Sequence, residues 1–95
     1  MIEVQHRENG HKGAFFVENQ GKLMAQMTYS WAGPDKLIID HTDVSDSLRG
    51  KGVGNLLVEA SVAYARDRNI KIIPLCTFAK SVFDKNPSYS DVTLK

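Results

Sequence analysis

Arg49-Gly50-Lys51-Gly52-Val53-Gly54 is the stretch on which the fold of this chain turns. Three glycines alternate with two cations and a valine, and the segment separates two different periodicities. Before it, Leu37-Ile38-Ile39-Asp40-His41-Thr42-Asp43-Val44 is a β-branched strand ending in polar groups. After it, apolar residues fall at 53, 56, 57, 60 and 64, the i, i+3, i+4, i+7, i+11 spacing of an amphipathic helix. Glycines at a helix start clear side chains away from backbone N–H groups that have no partner within the helix. The helix dipole favours negative charge there, and Arg49 and Lys51 add positive charge. The segment therefore reads as a seat for phosphate or pyrophosphate. Two familiar phosphate motifs do not fit. A Walker sequence needs Lys and Ser/Thr after its last glycine, where this chain has Val53-Gly54-Asn55, and the dinucleotide pattern G-x-G-x-x-G fails because Gly54 comes one residue early. The bland alternative is a glycine-rich turn without function. The strand before, the helix after and the flanking cations argue against it.

Working outward, the helix runs from Val53 to about Arg68, with Arg66 and Arg68 in its last turn and Asn69 as its stop. Ile70-Lys71-Ile72-Ile73 reads as a short buried strand ended by Pro74. A strand–helix–strand crossover makes it parallel to the strand at 36–44. Residues 76–85 form a second helix with Phe78, Val82 and Phe83 at compatible spacing, broken by Asn86-Pro87-Ser88-Tyr89. Upstream, residues 2–7, 12–18 and 22–31 alternate as strands. Glu8-Asn9-Gly10, Asn19-Gln20-Gly21 and Ala32-Gly33-Pro34-Asp35 are the turns between them. In the third strand, Leu23, Ala25, Met27, Tyr29 and Trp31 share one face. The expected fold is α/β (α+β). A four-stranded antiparallel meander leads into a strand–helix–strand crossover and a final helix, in one domain spanning residues 1–95.

Composition narrows the function classes. Twelve Lys+Arg against eleven Asp+Glu give a net charge of +1, which argues against a bulk electrostatic footprint for nucleic acid. No apolar run approaches the roughly 20 residues of a membrane span, and the N-terminus has no signal-peptide pattern. The single Cys76 can form no internal disulfide, as expected in a reducing, cytoplasmic setting. One Cys and three His are too sparse for a structural zinc site, so no metal is expected.

The segment Val44-x-x-x-x-Arg49-Gly50-Lys51-Gly52-Val53-Gly54-x-x-Leu57 resembles motif A of the GNAT superfamily of acyl-CoA-dependent N-acetyltransferases, whose core is [Q/R]-x-x-G-x-[G/A]. The match is carried by Arg49, Gly52 and Gly54, and the order of strands around it also agrees. His41-Thr42-x-Val44, Ile72-Ile73-Pro74-x-Cys76-x-Phe78 and Asn86-Pro87-x-Tyr89 resemble a subgroup of very short, single-domain GNAT-like proteins. The resemblance implies acetyl-CoA as cofactor. Its pyrophosphate would lie on the amides of Arg49, Gly50, Lys51, Gly52, Val53, Gly54 and Asn55. Its pantetheine arm would run beside His41, Thr42, Asp43 and Val44, pairing with backbone groups.

Acetyl transfer needs a neutral amine, a polarised thioester carbonyl and a proton for the leaving thiolate. His41 is the natural base by its ordinary pKa, set against a half-buried histidine satisfied by hydrogen bonds. Asp43, two residues on, is its partner or the alternative base, and Asp40 points the other way under strict alternation. Cys76, at the start of the last helix, has three readings: acyl carrier, proton donor to the thiolate, or small buried residue. His41 and Cys76 are expected to face the acetyl group from the two lips of the strand pair. His6 and His11 lie on the early hairpin, away from motif A.

The chain also departs from the wider superfamily. With Ala79 on the usual alanine of the last helix, the position of the general-acid tyrosine holds Phe83. The helices normally inserted between the first two strands are replaced by a turn, and the last two strands are missing or reduced. The leading expectation is an N-acetyltransferase acting by direct transfer on an unidentified amine. The competing ones are a non-catalytic acyl-CoA-binding or sensing module and a small interaction domain. The expected state is a monomer or weak homodimer with neither nucleic acid nor membrane as partner.

Overall fold

Three tight turns in the first 35 residues fold the chain back on itself and so build most of the sheet. The computed structural model describes residues 2–94. β1 (Gln5–Asn9), β2 (Lys12–Asn19), β3 (Lys22–Trp31) and β4 (Lys36–Val44) form the antiparallel meander. The sheet is completed by β5 (Lys71–Pro74), which pairs parallel to β4. α1 (Val53–Arg68) makes the crossover, and α2 (Thr77–Lys85) follows β5. The strand order is β1-β2-β3-β4-β5. β1 lies two to three residues later than alternation alone suggested. Asn9 pairs with Lys12, so the turn is Gly10-His11, and Glu8 and Asn9 belong to the strand.

One face of the sheet packs against both helices. Phe15, Val17, Ala25, Met27, Tyr29, Leu37, Ile39 and Ile72 meet α1 and α2 in a single apolar cluster. From α1 the buried residues are Val53, Gly54, Leu57, Val58, Ser61, Val62 and Ala65. This stripe is rotated from the expected 53, 56, 57, 60 and 64, because Leu56, Ala60 and Tyr64 lie on its flank and are only half-buried. The buried Ser61 is accommodated by donating its hydroxyl to the Val58 carbonyl at 2.7 Å. From α2, Ala79, Val82 and Phe83 join the same cluster. Past α2, a short 3-10 turn at Pro87–Tyr89 leads to a single parallel bridge between Thr93 and Ile72. Arg66 holds this segment with two bonds to Asp91, at 2.9 and 3.0 Å, and one to the Ser88 carbonyl at 2.7 Å.

Candidate functional site

β4 and β5 create the site by parting. Their register runs from Lys36 opposite Lys71 to Ile39 opposite Pro74. Leu75 and Cys76 then both donate their N–H groups to the Ile39 carbonyl, at 3.0 and 3.1 Å, which ends the pairing. β4 continues to Val44 with no strand on that side among the described residues. Its backbone donors and acceptors there are open to an extended ligand.

A β-bulge sits at the point of parting. Thr28 pairs with His41 and Tyr29 with Ile39, so Asp40 is the extra residue. Without it, His41 and Asp43 would share the core face of Leu37 and Ile39. With it, Thr42 and Val44 take that face, opposite the buried Met27 and Ala25, and His41 and Asp43 turn outward. Asp43 does share the side of His41, and His41 Nε2 lies 2.9 Å from Asp43 Oδ2 with both side chains exposed. Asp40 points outward too, accepting from the Thr28 hydroxyl, which corrects the alternation reading. The expected meeting of His41 with Cys76 does not occur. Thr42 takes that place, its Oγ1 lying 3.2 Å from Cys76 Sγ. Cys76 is the N-cap of α2, and its Sγ accepts from the Ala79 N–H at 3.3 Å.

From Val44 the chain passes Ser45, a 3-10 turn at Asp46–Leu48 and the glycine loop into α1. Gly50 and Gly52 have φ of +80° and +73°, a region that L side chains rarely adopt. Gly52 is the N-cap of α1 and supplies no side-chain hydrogen bond. The first N–H groups of the helix are thus left without a side-chain acceptor. Gly54 is required for another reason. A Cβ there would lie 2.4 Å from Phe78 Cζ, so the glycine admits the Phe78 ring rather than a ligand.

These parts enclose a groove of about 360 Å³, lined by residues 42–44, 48–50, 52–55 and Phe78. It brings together Thr42, Asp43, Val44, Arg49, Gly50, Gly52, Val53, Gly54 and Asn55 from the sequence expectation. His41 and Lys51 do not line it, and Cys76 adjoins it only through Thr42. Arg49 is committed in part to Asp46, Nε to Oδ1 2.9 Å, with both side chains exposed. Leu48 and Phe78 are the lining residues that the sequence reading did not assign to the site. No cluster of ligating side chains suited to a metal occurs among the described residues. Nor is any described helix long and apolar enough to cross a membrane.

A parallel strand pair that opens beside a glycine-led helix with no side-chain cap is the arrangement expected of the acetyltransferase fold. The profile of the GCN5-related N-acetyl-transferase family matches residues 14–92, and the chain belongs to that family. A GCN5-like protein from Staphylococcus aureus, solved in solution, is 40% identical and superposes with a TM-score of 0.74, covering 95% of this chain and 87% of its own. A Clostridium acetobutylicum protein solved with acetyl-CoA is 20% identical, with a TM-score of 0.64 over 81% of this chain and 57% of that one, and shares the fold. Protein NATD1 of Xenopus tropicalis is 25% identical over 63 residues, which are 66% of this chain and 58% of that protein. Protein NATD1 of Gallus gallus is 25% identical over 87 residues, 90% of this chain and 77% of that protein. The chain thus spans little more than half the length of the first of these relatives.

Proposed function

We propose that this chain binds acetyl-CoA and catalyses acetyl transfer to an amine by direct attack. The observation that carries this reading is the opening between β4 and β5, which leads straight to the uncapped start of α1. The pyrophosphate sits on the amides around Gly52, Val53 and Gly54, and the pantetheine arm pairs with the free edge of β4 at Thr42–Val44. In the reaction, the amine nitrogen bonds to the thioester carbon and the carbon–sulfur bond breaks. The amine loses a proton and the departing thiolate gains one. His41, oriented by Asp43, is the proposed base and receives the amine from the outer face of the sheet. Cys76, linked to the Thr42 hydroxyl, is the proposed proton donor to the thiolate. The protein acts as a monomer or weak homodimer in the cytoplasm.

A second reading, an acyl-CoA-binding or sensing module, is favoured by one observation. Phe83 is buried at the position where the wider family carries its acid tyrosine, and a phenyl ring has no proton to give. Turnover against an amine panel, followed by thiol release, separates the two. His41→Ala should lower kcat by about tenfold or more with little change in acetyl-CoA affinity, since a base acts in the transition state. Tight acetyl-CoA binding without thiol release on any amine would move the protein to the second reading.

A further inference from the structure

The reaction proposed above puts the acceptor nitrogen beside His41 and leaves the rest of the acceptor undescribed. Because the bulge turns His41 and Asp43 outward, that rest belongs on the outer face of the sheet. The register maps this face. Arg7 pairs with Ala14, Ala14 with Thr28 and Thr28 with His41, so these four stand in one row from β1 to β4. The next row, toward the end where β4 runs on alone, is Gln5, Phe16, Gln26 and Asp43. Directly paired residues point to the same side of a sheet, so both rows share the face of His41. Arg7 starts on the edge strand but does not stay there. Its guanidinium lies over the Phe16 ring, 4.8 Å from the centroid, and Nη2 donates to Gln26 Oε1 at 3.4 Å. Phe16 is buried beneath it, although it stands outside the apolar cluster formed with the helices. Arg7 makes no ion pair among the described residues.

We propose that Arg7 is the carboxylate anchor of the acceptor site, and that the acceptor is an amino carboxylate acetylated on an amine remote from its carboxyl group. The proposal rests on the acetyl-transfer reading and names its substrate class. Charge on the outer face is separated. Asp40 and Asp43 flank His41 on β4, while the Arg7 guanidinium reaches Gln26 on β3 from the opposite edge. The first end draws an ammonium group and the second a carboxylate. A guanidinium fork matches a carboxylate with two parallel hydrogen bonds. Phe16 and Gln26 already hold that fork, so little freedom is lost when a ligand arrives. A phosphate carries more negative charge and would be repelled more strongly by Asp40 and Asp43. The span selects the amine. The Arg7 head lies one to two strand spacings from β4, roughly 5–10 Å. In an α-amino acid the carboxylate oxygens lie within about 4 Å of the nitrogen, too close to make both contacts. An ω-amino acid, or the side-chain amine of a basic amino acid, bridges the gap. Gln26 and Asp43 also line a shallow cavity of about 230 Å³ with Leu23 and Met24, which offer apolar surface to the methylenes in between.

The test is steady-state kinetics of the intact chain with acetyl-CoA, read by thiol release, on two acceptors of equal length. One is ω-aminohexanoate and the other ω-aminohexanol, which carries a hydroxyl in place of the carboxylate. Calorimetry reports acetyl-CoA binding in parallel. The carboxylate should be preferred by about tenfold in kcat/KM, the scale of one charge-assisted contact, and chiefly through KM, because Arg7 holds substrate and transition state alike. Arg7→Met keeps an apolar stem over Phe16 and removes the charge. It should bring the ratio of the two kcat/KM values to about one, and Arg7→Lys should restore part of the preference. A merely structural Arg7 would change both acceptors together and leave the ratio where it was. Equal use of the two acceptors by the native protein, or a ratio that survives in Arg7→Met, overturns the inference and leaves acetyl transfer standing. Thiol release from neither acceptor while acetyl-CoA binds also overturns it and leaves the coenzyme reading standing. If acetyl-CoA does not bind, the coenzyme reading fails and takes the inference with it.

Discussion

The two ends of the sheet use their polar groups in opposite ways. At the end where β1 turns into β2, a cluster of polar groups is satisfied within the protein. The Glu8 carboxylate accepts from the Tyr29 hydroxyl at 2.9 Å, the Trp31 indole N–H at 2.7 Å and the Tyr64 hydroxyl at 3.3 Å, tying β1, β3 and α1 together. His6 stacks on Phe15 at 4.3 Å and bonds the same Tyr29 hydroxyl. At the other end, α1 starts without a cap and β4 runs on without a partner strand. Both ends rely on a glycine beneath a ring. A Cβ on Gly13 would lie 2.4 Å from the Tyr29 hydroxyl oxygen, just as one on Gly54 would strike Phe78. The first ring is sealed in the core and the second is left partly exposed on a groove. The lesson is a division of labour: this small domain satisfies polar groups at one end of its sheet and leaves backbone donors open at the other, where the proposed function uses them.

That contrast can be broken at either end. The largest effect is expected from Tyr29→Ala, which empties a fully buried aromatic site and removes a donor from Glu8. It should cost about 3–5 kcal/mol in denaturant unfolding, while the fraction that remains folded binds acetyl-CoA as before. An equal loss of binding affinity in that folded fraction would mean the two ends are not independent. Gly54→Val should do the reverse. By displacing the Phe78 ring it should weaken acetyl-CoA at least about tenfold, or about 1.4 kcal/mol by calorimetry. Adding Phe78→Ala should recover part of that affinity, because the colliding ring is gone.

The smallest effect is the dependence of stability on pH. Hydrogen bonds from Trp31, Tyr29 and Tyr64 hold the Glu8 carboxyl below its ordinary range against the opposing effect of desolvation. Burial lowers the His6 imidazole, against the attraction of Glu8. In both cases the unfolded chain takes up the proton first. Stability is therefore full above the unfolded pKa values and falls as pH drops through the folded ones. Thermal melts should decline in two stages, below about 6.5 for His6 and below about 4.3 for Glu8. Glu8→Gln should remove the lower stage and leave an acid loss from His6. A melt profile identical in the two proteins would show that Glu8 does not stabilise this end through its charge.

Much of this architecture is visible in the chain before any coordinates. β3, β4 and α1 were legible to the residue, because long uniform periodicities are set locally and their turns and stops are chemically distinct. The glycine-led start of α1 was legible for the same reason. The fine structure of the site was not. The Asp40 bulge depends on the register of β4 against β3, and alternation within one strand carries no record of it. Phe78 is separated from Gly54 by the rest of α1 and all of β5, so only packing reveals why Gly54 must be glycine. The Glu8 cluster was likewise hidden, since its donors come from two elements, β3 and α1, distant from it in sequence. The early placement of β1 had a similar cause: residues 2–7 alternate well, but pairing with β2 selects Gln5–Asn9.

The extra residue at Asp40 acts on β4 much as a single-base insertion acts on a gene: everything downstream is read in the other frame. Upstream, the frame is fixed by Leu37 and Ile39, which the core cannot release. Downstream, the same frame change decides the chemistry of the two surfaces at once. It hands the hydroxyl of Thr42 and the apolar Val44 to the core face, opposite Met27 and Ala25, and it turns the exposed His41–Asp43 pair to the outer face. Excising that one residue would leave the hydrophobic core of β4 intact and exchange the two surfaces. The division between the two faces of β4, on which the proposed function draws, is thus written in the length of a strand as much as in the identity of its side chains.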